Sequence, residues 1–198
     1  MKKGELILGA LAGVAIVFDL LLIPGGNQFF IVVFLALAML YLGFGFVLFN
    51  GIRLRNMFEK GMYKNISLLR IFGAIGAGLA LFMALIGLVF KFQSYPGSFI
   101  MLLFGFSAIL LVSLVCTIKL YNDSTGFYRG IFSRCIAIGG ICLVLLFAPT
   151  TLIEEIKYRN YPEYIIALKN AIAAPNNAKL QVEAVVARQK MKQKMAEE

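Results

Sequence analysis

The chain has 198 residues, of which 61% are hydrophobic and 15% are charged, whereas about a quarter of the residues in soluble domains are charged. One small domain cannot bury this much apolar surface, so a single water-soluble globule is excluded. The formal net charge is +9, and the chain contains no His, which removes the most common general base and metal ligand from its chemistry.

Five apolar segments are long enough to cross a bilayer, because about 20 helical residues span a hydrocarbon core of about 30 Å. In chain order they cover residues 6–23, 29–49, 71–90, 99–118 and 135–153. We therefore expect an all-α, polytopic transmembrane helical bundle over residues 1–153, followed by a polar helical tail over residues 154–198.

The first segment has features of a signal peptide. Lys2 and Lys3 precede an apolar run, and residues 10–12 read Ala-Leu-Ala, like a cleavage site. Glu5, however, leaves only a short apolar stretch before that site, and the apolar run continues well beyond it. We expect an uncleaved first span.

The basic residues of the connectors predict the orientation, since Lys and Arg are concentrated on the cytoplasmic side. Ten bases lie at the amino terminus, between spans two and three, or between spans four and five, and only Lys91 lies on the opposite side. The ten are Lys2, Lys3, Arg53, Arg55, Lys60, Lys64, Arg70, Lys119, Arg129 and Arg134. The amino terminus is therefore expected in the cytoplasm, and five spans place the tail on the far side.

The fifth span leaves a second topology open. The tail carries eight bases, and three of them, Lys157, Arg159 and Lys169, lie within about 20 residues of the span, where the charge bias acts. Pro149 also interrupts the end of this span. The alternative is a re-entrant fifth segment with a cytoplasmic tail.

Two helical hairpins align when the chain is offset by 72 residues. Pro24-Gly25 aligns with Pro96-Gly97, and Pro followed by Gly favours a tight turn, because Pro fixes φ and Gly adopts positive φ. These four residues predict two outer turns. The hairpins are expected to be parallel repeats related by an axis along the membrane normal.

The same offset aligns Asp19 with Lys91, each five residues before its Pro. One interpretation is an intramembrane ion pair or a proton-sensitive site, since charged residues inside spans are costly and often functional. The other is that Asp19 is solvated at the outer boundary, while Lys91 independently extends its ammonium group to the surface.

Small residues at intervals of four predict close packing of spans one and three. The positions are Gly9 and Gly13 in span one, and Gly76, Ala80 and Ala84 in span three. In this arrangement spans one and three form the inner pair, and the Phe-rich spans two and four lie outside, with the rings of span two in lipid. The same motifs are also compatible with oligomerisation, so they do not predict the oligomeric state.

Residues 160–198 are polar and predict a short helical hairpin. Pro162 and Glu163 open one helix, residues 175–177 (Pro-Asn-Asn) break it, and Asn177 caps the next. This tail is expected either to dock another envelope protein or to form a marginal helix on the membrane or in water.

The cysteines and the basic residues predict no chemistry of their own. Cys116, Cys135 and Cys142 lie in apolar runs, where Cys behaves as a small hydrophobic residue, without a disulfide framework or further metal ligands nearby. We expect no metal, no cofactor and no catalytic residue. The scattered bases predict contact with lipid head groups of the bilayer and not with nucleic acid.

The hairpin of spans three and four carries a recognisable pattern. Residues 87–92 read Gly-Leu-Val-Phe-Lys-Phe, and residues 101–105 of the return helix read Met-Leu-Leu-Phe-Gly. With these residues the hairpin resembles that of the gliding-motility motor family GldL. In that family the hairpin Lys, which maps to Lys91, works with an acid of the return helix in a proton-driven motor, and here Ile109 lies near the position of that acid. The resemblance implies a bacterium of the Bacteroidota and an inner-membrane location.

Three classes of function can be compared on this basis. A non-enzymatic scaffold or accessory subunit of a bacterial envelope complex needs few polar groups in its spans and a tail that can dock. A small transporter or ion-conducting protein needs ionisable groups inside the membrane, for which Asp19 and Lys91 are the candidates. An intramembrane enzyme is disfavoured, because the spans lack His, paired acids and a phosphate-binding glycine loop. The scaffold is our prediction, and the transporter is the alternative.

Overall fold

The computed structural model describes residues 2–52, 67–122, 126–149 and 151–197. All regular elements in these ranges are α-helices, which confirms the predicted all-α class. The helices are α1 (Lys2–Leu20), α2 (Gly26–Phe49), α3 (Leu68–Phe92), α4 (Ser98–Asn122), α5 (Gly126–Phe147), α6 (Leu152–Lys157), α7 (Pro162–Ala173) and α8 (Ala178–Glu197).

Four of these helices are long and apolar enough to cross a membrane. They are α2, α3 and α5 over their full lengths, and α4 from Ser98 to Tyr121. This agrees with the predicted membrane protein. α1 differs from the four because its 19 residues include four charged side chains, those of Lys2, Lys3, Glu5 and Asp19.

The fifth predicted span is displaced along the chain. α5 begins at Gly126 and ends at Phe147, whereas the hydropathy pattern placed the span at residues 135–153. Arg134 lies inside this helix and not in the preceding connector. A span can contain such a residue, because its long basic side chain can reach polar partners. Pro149 follows the helix and does not interrupt it, since the residue before a Pro disfavours the α conformation.

The chain forms two compact units. The first contains Met1–Asp19 and Ile23–Phe147, and the second contains Leu20–Leu22 and Ala148–Glu198. α6 belongs entirely to the second unit, so the tail begins a few residues before the predicted boundary at residue 154.

α3 is the central helix of the first unit and packs against α2, α4 and α5. Its fully buried face carries Leu81, Leu85 and Leu88, which recur at helical spacing. Leu102 of α4 and Ile131 of α5 are buried with them. α1 is not among the close neighbours of α3 in the described chain, so the predicted inner pair of spans one and three is wrong.

Helix backbones approach each other closely at three glycines of α3 and α4. A Cβ atom on Gly78 would lie 2.5 Å from the Tyr41 carbonyl oxygen, and one on Gly105 would lie 2.5 Å from Ala84 Cα. A Cβ atom on Gly87 would lie 2.8 Å from the backbone of α4. These contacts are shorter than any side chain tolerates, so glycine is required for the α2–α3 and α3–α4 packing.

The predicted packing positions are only partly used. Ala80 and Ala84 are buried, in agreement with the prediction. Gly9, Gly13 and Gly76 are exposed, and a Cβ atom on any of them would have no neighbour within 4 Å. Their predicted role in packing within this chain is therefore wrong, because spacing identifies a helix face but not the face that meets another helix.

The aromatic face of α2 points into the first unit. Phe30, Phe34 and Phe49 are 0%, 4% and 8% exposed, respectively. The ring of Phe30 stacks on that of Phe34 with centroids 4.3 Å apart, and it lies 5.1 Å from the ring of Phe92 in α3. These rings form part of the core, so the predicted lipid-facing orientation of span two is wrong for them.

The two Pro-Gly turns have the same backbone conformation. Gly25 and Gly97 have φ angles of 79° and 77°. Three residues earlier, Leu22 and Ser94 also have positive φ, at 55° and 51°. The predicted turns are present, and the special conformations recur at an offset of 72 residues.

The hydrogen bonds of the turns recur at the same offset. The amide of Ile23 donates to the Phe18 carbonyl over 3.1 Å, and the amide of Tyr95 donates to the Phe90 carbonyl over 3.0 Å. Both bonds close the end of a helix in the manner of a Schellman motif. The correspondence therefore extends to the residues before each Pro.

The second unit contains a helical hairpin, as the tail sequence predicts. α7 begins at Pro162, where a missing N–H group has no cost. The Asn177 side-chain oxygen accepts a hydrogen bond from the amide of Lys179 over 3.1 Å and so caps α8. Gln181 of α8 donates to the Ala171 carbonyl of α7 over 2.7 Å, which joins the two helices.

Candidate functional site

A polar cluster joins three helices of the first unit. It consists of Glu5 of α1, Tyr41 of α2 and Arg134 of α5. The Tyr41 hydroxyl donates a hydrogen bond to Glu5 Oε1 over 2.7 Å. Arg134 donates from Nε to the same oxygen and from Nη2 to Glu5 Oε2, so the guanidinium and the carboxylate form a two-point ion pair.

The polar cluster lies inside the bundle. Tyr41 lies eight residues before the end of α2 at Phe49, and Arg134 lies eight residues after the start of α5 at Gly126. At 1.5 Å per residue, each is about 12 Å from the end of its helix. α2 ends and α5 begins at the same end of the bundle, so Tyr41 and Arg134 lie at the same level.

The polar cluster is largely removed from solvent. The side chains of Arg134 and Glu5 are only 19% and 13% exposed, and Tyr41 is buried. A lone Arg at the centre of a bilayer costs about 2.5–3.5 kcal/mol, and a two-point carboxylate partner offsets this cost. The guanidinium also donates to the Gly130 carbonyl and lies 5.6 Å from the centre of the Phe49 ring.

This arrangement joins the helices through polar groups that bind one another. Both carboxylate oxygens of Glu5 accept hydrogen bonds, and all three nitrogens of the Arg134 guanidinium donate them. General acid–base catalysis needs a group that exchanges a proton, whereas an Arg in a protein stays protonated. The polar cluster is therefore suited to hold α1 against α2 and α5.

Sequence reasoning missed the polar cluster. It interpreted Glu5 as an obstacle to a signal peptide and Arg134 as a connector base that sets the topology. The available signal was that Glu5 and Arg134, which are 129 residues apart in the chain, each border an apolar run. Hydropathy cannot show that two such residues meet, because it ignores the direction in which each helix face points.

Asp19 and Lys91 are both buried, with 1% and 5% of their surfaces exposed. Their burial disagrees with the interpretation that Asp19 is solvated and Lys91 reaches the surface. The structure therefore places both charged groups in the interior, and their pairing stays a prediction.

The cysteines lie where the sequence predicts. Cys116, Cys135 and Cys142 are buried and free, and each occupies a place in the apolar interior. Within the described ranges, no group of three or more Cys, Asp and Glu side chains is arranged to hold a metal ion.

Two polar contacts organise the second unit. The Tyr164 hydroxyl donates to Glu154 Oε2 over 2.6 Å, and burial, followed by this carboxylate, raises the pKa of Tyr164. Glu155 accepts a hydrogen bond from the Thr151 hydroxyl and pairs with Lys169 Nζ over 3.0 Å. The Thr151 hydroxyl, followed by the Lys169 ammonium, lowers the pKa of Glu155.

No protein-family model, curated protein or solved structure matches this chain. The resemblance of residues 87–105 to the hairpin of the GldL family therefore stays a prediction from the sequence. The geometry of the two units is the basis on which a function can be inferred.

Proposed function

We propose that this protein is a non-enzymatic scaffold or accessory subunit of a bacterial envelope complex in the inner membrane. The observation that carries this proposal is the two-point ion pair of Glu5 and Arg134. A transport pathway needs ionisable groups that bind and release ions or protons, whereas this acid and base satisfy each other and connect three helices. The polar groups in the interior thus hold the helices in fixed positions.

The tail offers a surface for a partner. Val182, Val185 and Val186 of α8 are 62%, 58% and 42% exposed. Their spacing places them on one face of the helix. The carboxy-terminal half of α8 is basic, so we propose a helical partner with an apolar stripe flanked by acidic side chains.

We also propose five spans, with a cytoplasmic amino terminus and a periplasmic tail. α1 runs antiparallel to α2. A Cβ atom on Gly26 would lie 2.7 Å from the Phe18 carbonyl oxygen near one end, and Glu5 contacts Tyr41 near the other. The two contacts are about 20 Å apart along α1, which is most of a hydrocarbon core of about 30 Å. If α2 crosses the membrane, α1 therefore crosses with it.

The two hairpins α1–α2 and α3–α4 are proposed to be parallel repeats. Support comes from the matching φ angles and hydrogen bonds of the two turns at an offset of 72 residues. Equivalent helices separated by two spans run in the same direction, so the axis that relates them would lie along the membrane normal.

Photo-crosslinking in native membranes tests the scaffold. A photoreactive amino acid at Val185 is expected to yield one adduct of defined mass with a second protein. Val182→Glu is expected to abolish this adduct, because a charge disrupts the apolar face. The control is Glu183→Gln, an exposed change on the flank of the same helix, which should leave the adduct intact. An adduct with lipid alone, or one that persists in Val182→Glu, would argue against a docking tail.

A second candidate function is a small transporter or ion-conducting protein, and the burial of both Asp19 and Lys91 favours it. Buried charged groups inside spans commonly mark ion or proton pathways. Proton flux into proteoliposomes, followed with a pH-sensitive dye, is the measurement. Flux that is lost in Asp19→Asn supports transport through this carboxylate, and flux that persists in this variant removes it from the pathway.

A further inference from the structure

An apolar cleft opens on the surface of the first unit between α3, α4 and α5. Its volume is about 200 Å³. Gly73 and Gly76 line it on α3, Val115 and Cys116 on α4, and Phe127 and Ile131 on α5. A Cβ atom on either glycine would have no neighbour within 4 Å, so these two residues leave the cleft open.

The cleft follows the direction of the helices. Its lining extends over residues 73–77 of α3, 111–116 of α4 and 127–131 of α5, which is about 6–8 Å at 1.5 Å per residue. An apolar cavity of about 150 Å³ holds a benzene-sized molecule, so this cleft has room for a short stretch of hydrocarbon. In a membrane span, the hydrocarbon that meets such a cleft is a lipid acyl chain.

Arg70 marks one end of the cleft. Its guanidinium carbon lies 4.4 Å from the centre of the Phe127 ring, which lines the cleft. Arg70 is one turn before Gly73, towards the end of the bundle where α3 begins. Its Nε atom is buried and has no hydrogen-bond partner within the part of the chain that the structure describes. Among the described residues, no carboxylate forms an ion pair with this guanidinium.

We propose that Arg70 and this cleft bind one anionic phospholipid from the leaflet on the side where α3 begins. The lipid phosphate binds the guanidinium, whose planar donors match two phosphate oxygens. One acyl chain enters the cleft beneath the phosphate. The site selects an anionic lipid because the arginine charge is otherwise uncompensated within the described structure, and a zwitterionic lipid supplies a positive group next to its phosphate.

Lipid retention by the full-length protein tests the site. The protein is placed in nanodiscs with equal amounts of phosphatidylglycerol and phosphatidylcholine, and retained lipids are counted by native mass spectrometry. One phosphatidylglycerol molecule per chain is expected. Arg70→Gln is expected to lower its affinity about tenfold, since it removes a charge-assisted hydrogen bond. Arg70→Lys should have a smaller effect, and Gly76→Leu should lower retention by filling the cleft.

Two control variants test whether lipid retention depends on this site and not on any exposed base or glycine. Arg129→Gln removes an exposed base near the start of α5, and Gly9→Leu enlarges an exposed glycine of α1. Both should retain phosphatidylglycerol. Equal retention of the two lipids would overturn the proposal, as would unchanged retention in folded Arg70→Gln or Gly76→Leu. Release of the lipid by soluble glycerol phosphate, with Gly76→Leu still binding, would also overturn it, because this result defines a headgroup site without a cleft.

Discussion

Glu5 and Arg134 show how a charged residue can be accommodated within a helical bundle of this composition. Arg134 lies in α5 where its charge would be costly alone, and Glu5 supplies both carboxylate oxygens from a different helix. Tyr41 donates a third hydrogen bond to the same carboxylate. These three side chains therefore form all of these hydrogen bonds only when α1, α2 and α5 are assembled. The polar cluster both stabilises this assembly and depends on it.

Glu5→Gln is expected to lower the free energy of unfolding by about 3 kcal/mol, because removing one partner leaves the Arg134 charge uncompensated. The double variant Glu5→Gln and Arg134→Gln should lose less than the sum of the two single losses. Thermal unfolding in mild detergent measures these changes. Glu183→Gln on the exposed face of α8 is the control and should be almost neutral. Strictly additive losses would show that the ion pair contributes nothing.

We expect the tail to be most stable at a pH between the usual pKa values of Glu and Tyr, because Glu155 and Tyr164 have shifted pKa values. The lowered pKa of Glu155 means that its contribution is complete above the usual Glu pKa of about 4.3 and declines as the pH falls below it. The raised pKa of Tyr164 means that its contribution is complete below about pH 10 and is lost as the pH rises further. Amide exchange of α7, corrected for its intrinsic rate, should be slowest between these limits.

Two variants identify the groups responsible. Glu155→Gln should remove the acid limb of this profile, and Tyr164→Phe should remove the alkaline limb. Glu163→Gln changes an exposed residue in the first turn of α7 and should leave both limbs in place. A profile in which both limbs persist in Glu155→Gln and Tyr164→Phe would assign the pH dependence to other groups.

At the scale of elements, helix packing depends on the glycines at which two helix backbones come into contact. A Cβ atom on Gly105 would lie 2.5 Å from Ala84 Cα. Gly105→Ala is therefore expected to separate α3 from α4 and to cost about 1–3 kcal/mol or more. The measurement is the midpoint of thermal unfolding in detergent.

Gly73→Ala is the matched control for this prediction. The residue lies in a helix interior, and a Cβ atom there would have no neighbour within 4 Å. It should stabilise the protein by about 0.5–1 kcal/mol, because Ala loses less conformational entropy than Gly in a helix. If Gly105→Ala also stabilised the protein, the close approach of α3 and α4 would be contradicted.

At the scale of the whole molecule, the number of spans determines the location of the amino terminus. The connector from α3 to α4 and the tail lie on the same side whether four or five helices cross the membrane. The amino terminus lies opposite to them with five spans and on the same side with four. We expect Asn176→Cys and Gln28→Cys to react with an impermeant thiol reagent from outside, and Lys3→Cys to react only after permeabilisation.

The labelling background is a variant in which Cys116, Cys135 and Cys142 are replaced by Ala, since all three are buried and free. A Lys3→Cys protein that reacts in intact cells together with Asn176→Cys would show four spans. Reaction of Asn176→Cys only after permeabilisation would place the tail in the cytoplasm and contradict the proposed orientation.

Part of the architecture could be predicted because its causes are local. The helical membrane segments follow from long apolar runs, and the turns follow from Pro-Gly at residues 24–25 and 96–97. The tail hairpin follows from Pro162 and from the cap at Asn177. In each case neighbouring residues determine the backbone, so a short stretch of sequence contains the necessary information.

The sequence by itself thus determined the class of protein, the helical composition and the positions of the turns. Only the tertiary structure decided that Gly105 and Gly78 are packing positions while Gly9 and Gly13 are not, and that Arg134 pairs with Glu5. These outcomes depend on which helix faces meet, and Glu5 and Arg134 meet although they are 129 residues apart in the chain. The four long apolar helices α2, α3, α4 and α5 are apolar around most of their circumference. Hydrophobic periodicity therefore does not select their buried faces, and close packing and polar pairing select them instead.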